Sequence, residues 1–77
     1  MLSETSKNIL FYLQEEERGE GVSLSKISED LNISKKTIGS ICWLNLSKDR
    51  IGIGKLVEYD KINKKIFLTE NGRKYNI

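Results

Sequence analysis

Between Val22 and Cys42 the chain reads VSLSKISEDLNISKKTIGSIC, and this stretch leaves few folds open. Ser23 is a good N-cap, because its hydroxyl can accept from a backbone N–H of the first helical turn. After it Leu24, Ile27 and Leu31 recur at the spacing that puts them on one stripe of an α-helix. Asn32 tolerates the left-handed conformation that ends such a helix. Ile33 is placed to plug the corner, and Ser34 to cap a second helix. On that helix Ile38, Ile41 and Cys42 face inward, whereas Lys36, Thr37 and Ser40 fall on the opposite side. The spacing therefore predicts two short helices joined by a tight turn, a helix-turn-helix.

The flanking segments extend the pattern. Ser3 to Arg18 predicts a leading helix capped by Ser3, with Ile9, Leu10 and Leu13 on its apolar stripe and Phe11 and Tyr12 broadening it. Glu15, Glu16 and Glu17 stand at its C-terminal end, the unfavourable end of the helix dipole, and are expected to fray and face solvent. A site for a cationic partner is the alternative reading of that acidic run. Gly19 and Gly21 stop the helix. Beyond Lys55 the alternation of a hairpin takes over. Leu56, Glu58 and Asp60 share one face of a first strand and Val57 and Tyr59 the other; Ile66 and Leu68 alternate with Phe67 on a second. The turn Lys61-Ile62-Asn63-Lys64 offers Asn63 for a positive φ.

Taken in order, these segments resemble the winged-helix family of transcription regulators, MarR-like regulators included. Many of that family close the second strand of the wing with a Leu-Thr-x-x-Gly-Arg pattern, which stands here as Leu68-Thr69-Glu70-Asn71-Gly72-Arg73. The resemblance covers nearly the whole chain. It implies an α+β winged helix-turn-helix, a three-helix core followed by a C-terminal two-stranded β-hairpin wing, as one domain over residues 1–77. One departure is the connection SKDRIGIGK, Ser47 to Lys55, which is longer than the family's and reads as a linker with Lys48, Arg50 and Lys55 available to phosphate.

Charge is divided unevenly along the chain. Residues before Ser34 carry three basic and seven acidic side chains, a net of −4; from Ser34 onward ten basic side chains oppose four acidic ones, a net of +6. The basic half contains the second helix of the pair and the hairpin. Such a dipolar molecule turns its basic side towards phosphate.

Several kinds of chemistry are unsupported. With no histidine and one cysteine, neither a zinc finger nor a histidine-based triad can be assembled. No Gly-rich loop opens a helix with the lysine of a phosphate cradle, and Gly52-x-Gly54 lacks that setting. A chain of 77 residues leaves little room for a small-molecule pocket. We expect no enzyme, no cofactor and no metal. Cys42 is expected to pack as a small hydrophobe, a redox-sensing thiol being the less favoured reading. No run approaches the roughly 20 apolar residues of a membrane span, no charged-then-apolar leader suggests secretion, and a lone cysteine suits a reducing cytoplasm, which is the expected location.

The partner expected is double-stranded DNA. A helix with small polar and basic groups near its N-terminal end suits the major groove, which gives Ser34, Lys35, Lys36, Thr37 and Ser40 of a 34–48 helix as groove contacts. Lys61, Lys64 and Lys65 at the tip of the 55–69 hairpin are expected to meet flanking backbone. Trp43 and Leu44 fall off the core face of the helix, so something should cover them; the hairpin is expected to cover Trp43, and a second copy to add to it in a homodimer. The rival reading is a protein-docking module of a transcription or replication assembly, favoured by the absence of arginine from the helix.

Overall fold

Each α-helix among the described residues begins at a hydroxyl side chain that caps it. In the computed structural model, which describes residues 2–46 and 54–76, Ser3 Oγ accepts from Ser6 N–H (3.2 Å) to open α1, Glu4–Glu16. Ser23 Oγ accepts from Lys26 N–H (3.1 Å) to open α2, Leu24–Leu31. Ser34 Oγ accepts from Thr37 N–H (3.2 Å) to open α3, Lys35–Ile41. Thr69 Oγ1 accepts from Gly72 N–H (3.0 Å) to open α4, Glu70–Lys74. Asn32 ends α2 in the left-handed conformation, φ 56° and ψ 43°, as its short polar side chain permits.

Beyond Ile41 the helix widens into a π-helical turn over Cys42–Leu46. Ile38, Cys42 and Leu46 are four residues apart and all fully buried. On an α-helix a four-residue step drifts by about 40°, and a wider turn rotates each residue less. The π turn thus offsets the drift and keeps the three side chains on one core face. The expected 34–48 helix is accordingly an α-helix of seven residues followed by this turn; residues 47–53 of the expected linker, with Lys48 and Arg50, lie outside the described residues.

The sheet has three antiparallel strands, where two were expected. β2 (Val57–Asp60) pairs with β3 (Lys65–Leu68), and β3 also pairs with a two-residue strand β1 (Val22–Ser23), giving the order β1-β3-β2. The first rungs are Val22↔Ile66 and Ser23↔Lys65, so the residues that lead into α2 are bonded to the central strand. Leu56, expected to share a face of the first strand with Glu58 and Asp60, is outside that strand and buried where Glu58 is exposed. It lies just ahead of β2, 2% exposed, its N–H donating to the Leu46 carbonyl (2.9 Å) and its carbonyl accepting from Thr69 N–H (3.1 Å).

Among the described residues the architecture is α+β, with four α-helices, the π-helical turn and one antiparallel sheet. Ile9, Leu10 and Leu13 of α1, Ile27 of α2, Ile38, Cys42 and Leu46, and Val57 and Ile66 of the sheet form a single buried cluster. Among the described residues no helix is long and apolar enough to cross a membrane.

Two expectations for α1 are corrected. Phe11 does not join the buried stripe and is 55% exposed, because Leu10 and Leu13 already occupy the core side of that turn. Glu17 is no part of a solvated run: it is buried at 2% exposure, just past the helix end. Its carboxylate accepts from Gly19 N–H (2.7 Å) and Gly21 N–H (3.0 Å) and pairs with the Arg73 guanidinium. Burial alone would raise this carboxyl, but those bonds outweigh it and hold it below the ordinary carboxylate range.

The fourth helix explains the Leu-Thr-x-x-Gly-Arg sequence residue by residue. Thr69 caps it and donates its hydroxyl to the Lys55 carbonyl (2.6 Å). Gly72 is buried against Leu56, where a Cβ would stand 2.1 Å from the Leu56 carbonyl oxygen and 2.6 Å from Leu68 Cδ1. Arg73 reaches Glu17, and Gln14 Nε2 donates to the carbonyls of Gly72 (2.8 Å) and Tyr75 (2.9 Å). The segment therefore fastens α4 to α1.

Candidate nucleic-acid interface

Ser34, Lys35, Lys36, Thr37 and Ser40 are all exposed on α3, as the inward set of Ile38 and Cys42 requires. They are not equivalent. The Ser34 hydroxyl donates to Thr37 Oγ1 (2.8 Å) while accepting from Thr37 N–H, so Ser34 is committed to the cap. Lys35, Lys36 and Ser40 are the groups this helix holds out.

The hairpin separates the three lysines expected to act together at its tip. Asp60 Oδ1 accepts from the N–H groups of Ile62 (3.1 Å) and Asn63 (3.2 Å), and Asn63 Nδ2 donates to Asp60 Oδ2 (2.8 Å). The Asn63 side chain, followed by these N–H groups, holds the Asp60 carboxyl below its ordinary range. With Asn63 bound in this way, the positive φ passes to Lys64, at 54°, the left-handed residue that returns a longer hairpin loop to its strand. The Lys64 carbonyl then accepts from Leu24 N–H (3.0 Å), which fixes the end of the turn against the start of α2.

Three different placements result. Lys64 joins Lys35, Lys36 and Ser40 around one cleft of about 350 Å³, with Leu24, Ser25, Gly39 and Tyr59 completing its walls. Lys61 lies over the Trp43 ring, its Nζ 3.8 Å from the centroid, a geometry in which the ammonium is drawn to the ring face. Lys65 stands within the central strand, half-buried, opposite both Ser23 and Asp60. Trp43 also meets Tyr59 edge to face, at 6.1 Å between centroids. The hairpin thus covers the indole to 38% exposure, as expected, while Leu44 remains 50% exposed.

No family model, curated protein or solved structure matches the chain. The site stands on its own geometry.

Ser25 and Tyr59 belong to the cleft and were not among the expected contacts. Ser25 is an exposed polar residue in the first turn of α2, a signal visible in the sequence. Tyr59 is positioned by tertiary packing, its hydroxyl passing over Gly39, where a Cβ would lie 3.6 Å away. The basic half is also less free than its net charge implies. Arg73 is spent on Glu17, Lys74 pairs with Glu70 at 3.1 Å, and Lys55 pairs with Glu58 at 3.4 Å. Among the described residues no group of three or more Cys, Asp or Glu side chains is placed to hold a metal ion. Cys42 is fully buried, and burial pushes its thiol up to about 12, far from the range of reactive thiolates.

Proposed function

We propose that this chain is a winged-helix protein that binds double-stranded DNA, as a small transcription regulator. The observation that carries the reading is the convergence of Lys35, Lys36 and Ser40 of α3 with Lys64 of the hairpin around one cleft. A phosphate backbone running past the helix would meet lysines from both sides, while Lys36 and Ser40 would face base edges. A homodimer belongs to the same reading, with half-exposed Leu44 as apolar surface for a second copy, and sedimentation over a range of concentrations tests it.

The test is fluorescence anisotropy with duplexes over a salt series. Affinity should fall steeply as salt rises. On a selected duplex Lys36→Ala should weaken binding by about 1–3 kcal/mol with unchanged circular dichroism. Lys64→Gln should weaken all duplexes alike and lower the slope of log affinity against log salt by about 0.9, the value of one phosphate contact. Lys65→Gln should change neither by comparable amounts. Salt-insensitive or undetectable duplex binding would transfer the reading to the protein-docking alternative.

A further inference from the structure

A second groove lies between α1 and the end of α2, sharing no residue with the cleft of Lys36 and Lys64. Its volume is about 400 Å³, within the range of sites that hold ligand side chains. Phe11 and Tyr12 of α1 face Leu31 and Ile33 across it, and Glu15 and Glu16 border it. Phe11 is 55% exposed, so its ring offers apolar surface that nothing in the described structure covers. Tyr12 is held in place by its hydroxyl, which donates to Asp30 Oδ2 (2.6 Å). Among the described residues that line the groove, both charged side chains are acidic and none is basic.

We propose that this groove docks a basic amphipathic peptide segment of another protein, apolar side chains seated on Phe11, Leu31 and Ile33 and lysines or arginines facing Glu15 and Glu16. Charge complementarity selects that occupant. A second copy of the chain is disfavoured by the same rim. A two-fold pair through this face would bring Glu15 and Glu16 of both copies together, and a head-to-tail contact with the basic half would give a ring or an open chain and not a two-fold dimer. The inference stands apart from the DNA reading, because it uses none of the same side chains.

The experiment uses a fluorescently labelled synthetic peptide with leucines on one helical face and lysines elsewhere, beside a matched peptide with glutamates in place of the lysines. Anisotropy should show binding of the lysine peptide only, and backbone amide chemical shifts should move in residues 8–16 and 30–33. Phe11→Ser, and separately Glu15→Lys with Glu16→Lys, should each lower affinity by roughly tenfold or more with unchanged circular dichroism. Glu20→Lys with Glu58→Lys, the same charge change at exposed positions on segments that do not line the groove, should leave affinity within about twofold. Equal binding of both peptides, shifts that map elsewhere, or equal losses in the two charge-reversed variants would overturn the proposal. So would self-association that Phe11→Ser abolishes, since the groove would then be an interface between copies.

Discussion

Arg73→Met should reveal how the buried Glu17 carboxylate contributes to stability. Glu17 has a fully buried side chain, whereas that of Arg73 is 42% exposed, so the substitution leaves the acid without its counter-ion. One charge-assisted bond to the carboxylate is lost, worth about 1.5–3 kcal/mol, and a second bond, from Arg73 Nη1 to the Glu17 carbonyl (3.1 Å), goes with it. The partial exposure of Arg73 lowers its share, because its guanidinium is already part-hydrated in the native state. We expect a loss of about 2–3 kcal/mol near neutral pH, against a total of roughly 4–12 kcal/mol for a chain of 77 residues. The variant should still fold.

The sign of the pH dependence separates charge from packing. A carboxyl lowered on folding gives stability that is complete above its unfolded pKa and is lost as pH falls through its folded value. Wild-type protein should therefore lose the Glu17 contribution below the ordinary carboxylate range. In Arg73→Met, burial is opposed only by the Gly19 and Gly21 N–H groups, the carboxyl moves upward, and less stability remains to be lost. Urea unfolding followed by circular dichroism should show the gap between the two proteins shrinking as pH falls below the ordinary carboxylate range. Glu17→Gln, with no proton to take up, should lack this component of the pH slope. A gap that is constant from neutral to acid pH would refute the reasoning and leave the Arg73 stem as the stabilising element.

Other expectations concern packing. Gly72→Ala should gain the roughly 1 kcal/mol of helix propensity that alanine holds over glycine, yet destabilise overall, because its methyl would meet a backbone carbonyl that cannot rotate away; thermal melting should show a fall of several degrees. Trp43 emission should be blue-shifted relative to free indole and independent of protein concentration, and Tyr59→Ala should shift it to the red while sedimentation stays unchanged. A thiol-reactive probe near pH 8 should label Cys42 at the rate of unfolding, not of collision, so the labelling rate should rise steeply with urea.

Much of the fold was legible because its signals are local. Ser3, Ser23 and Ser34 cap within three residues, Asn32 turns the chain on its own, and the inward stripes of α1, α2 and α3 follow helical spacing. What escaped depends on partners distant in sequence. Two residues cannot announce a strand, and Val22 and Ser23 become β1 only through β3. Glu17 reads as one more surface acid until Arg73, 56 positions later, reaches it. The α4 segment Glu-Asn-Gly-Arg-Lys has weak helix propensity and depends on its Thr69 cap and on the packing of Gly72. At the candidate site, the outward residues of α3 were legible from periodicity. The placement of Lys64 was not, because it depends on Asp60 occupying Asn63 and on the bond from Leu24.

That bond and the two rungs beneath it give the molecule a fixed gauge. A slip of β3 by one residue would turn Ile66 from the core to solvent, so the hairpin cannot slide along β1; it can only pivot by the play of a few hydrogen bonds. The position of Lys64 against the start of α2 is accordingly set by strand register and packing and not by loop length. Under the proposed reading the protein acts as a calliper, and a duplex whose groove does not match its opening must deform to be held, so stiff and pliable sequences will differ in affinity even where no side chain touches a base.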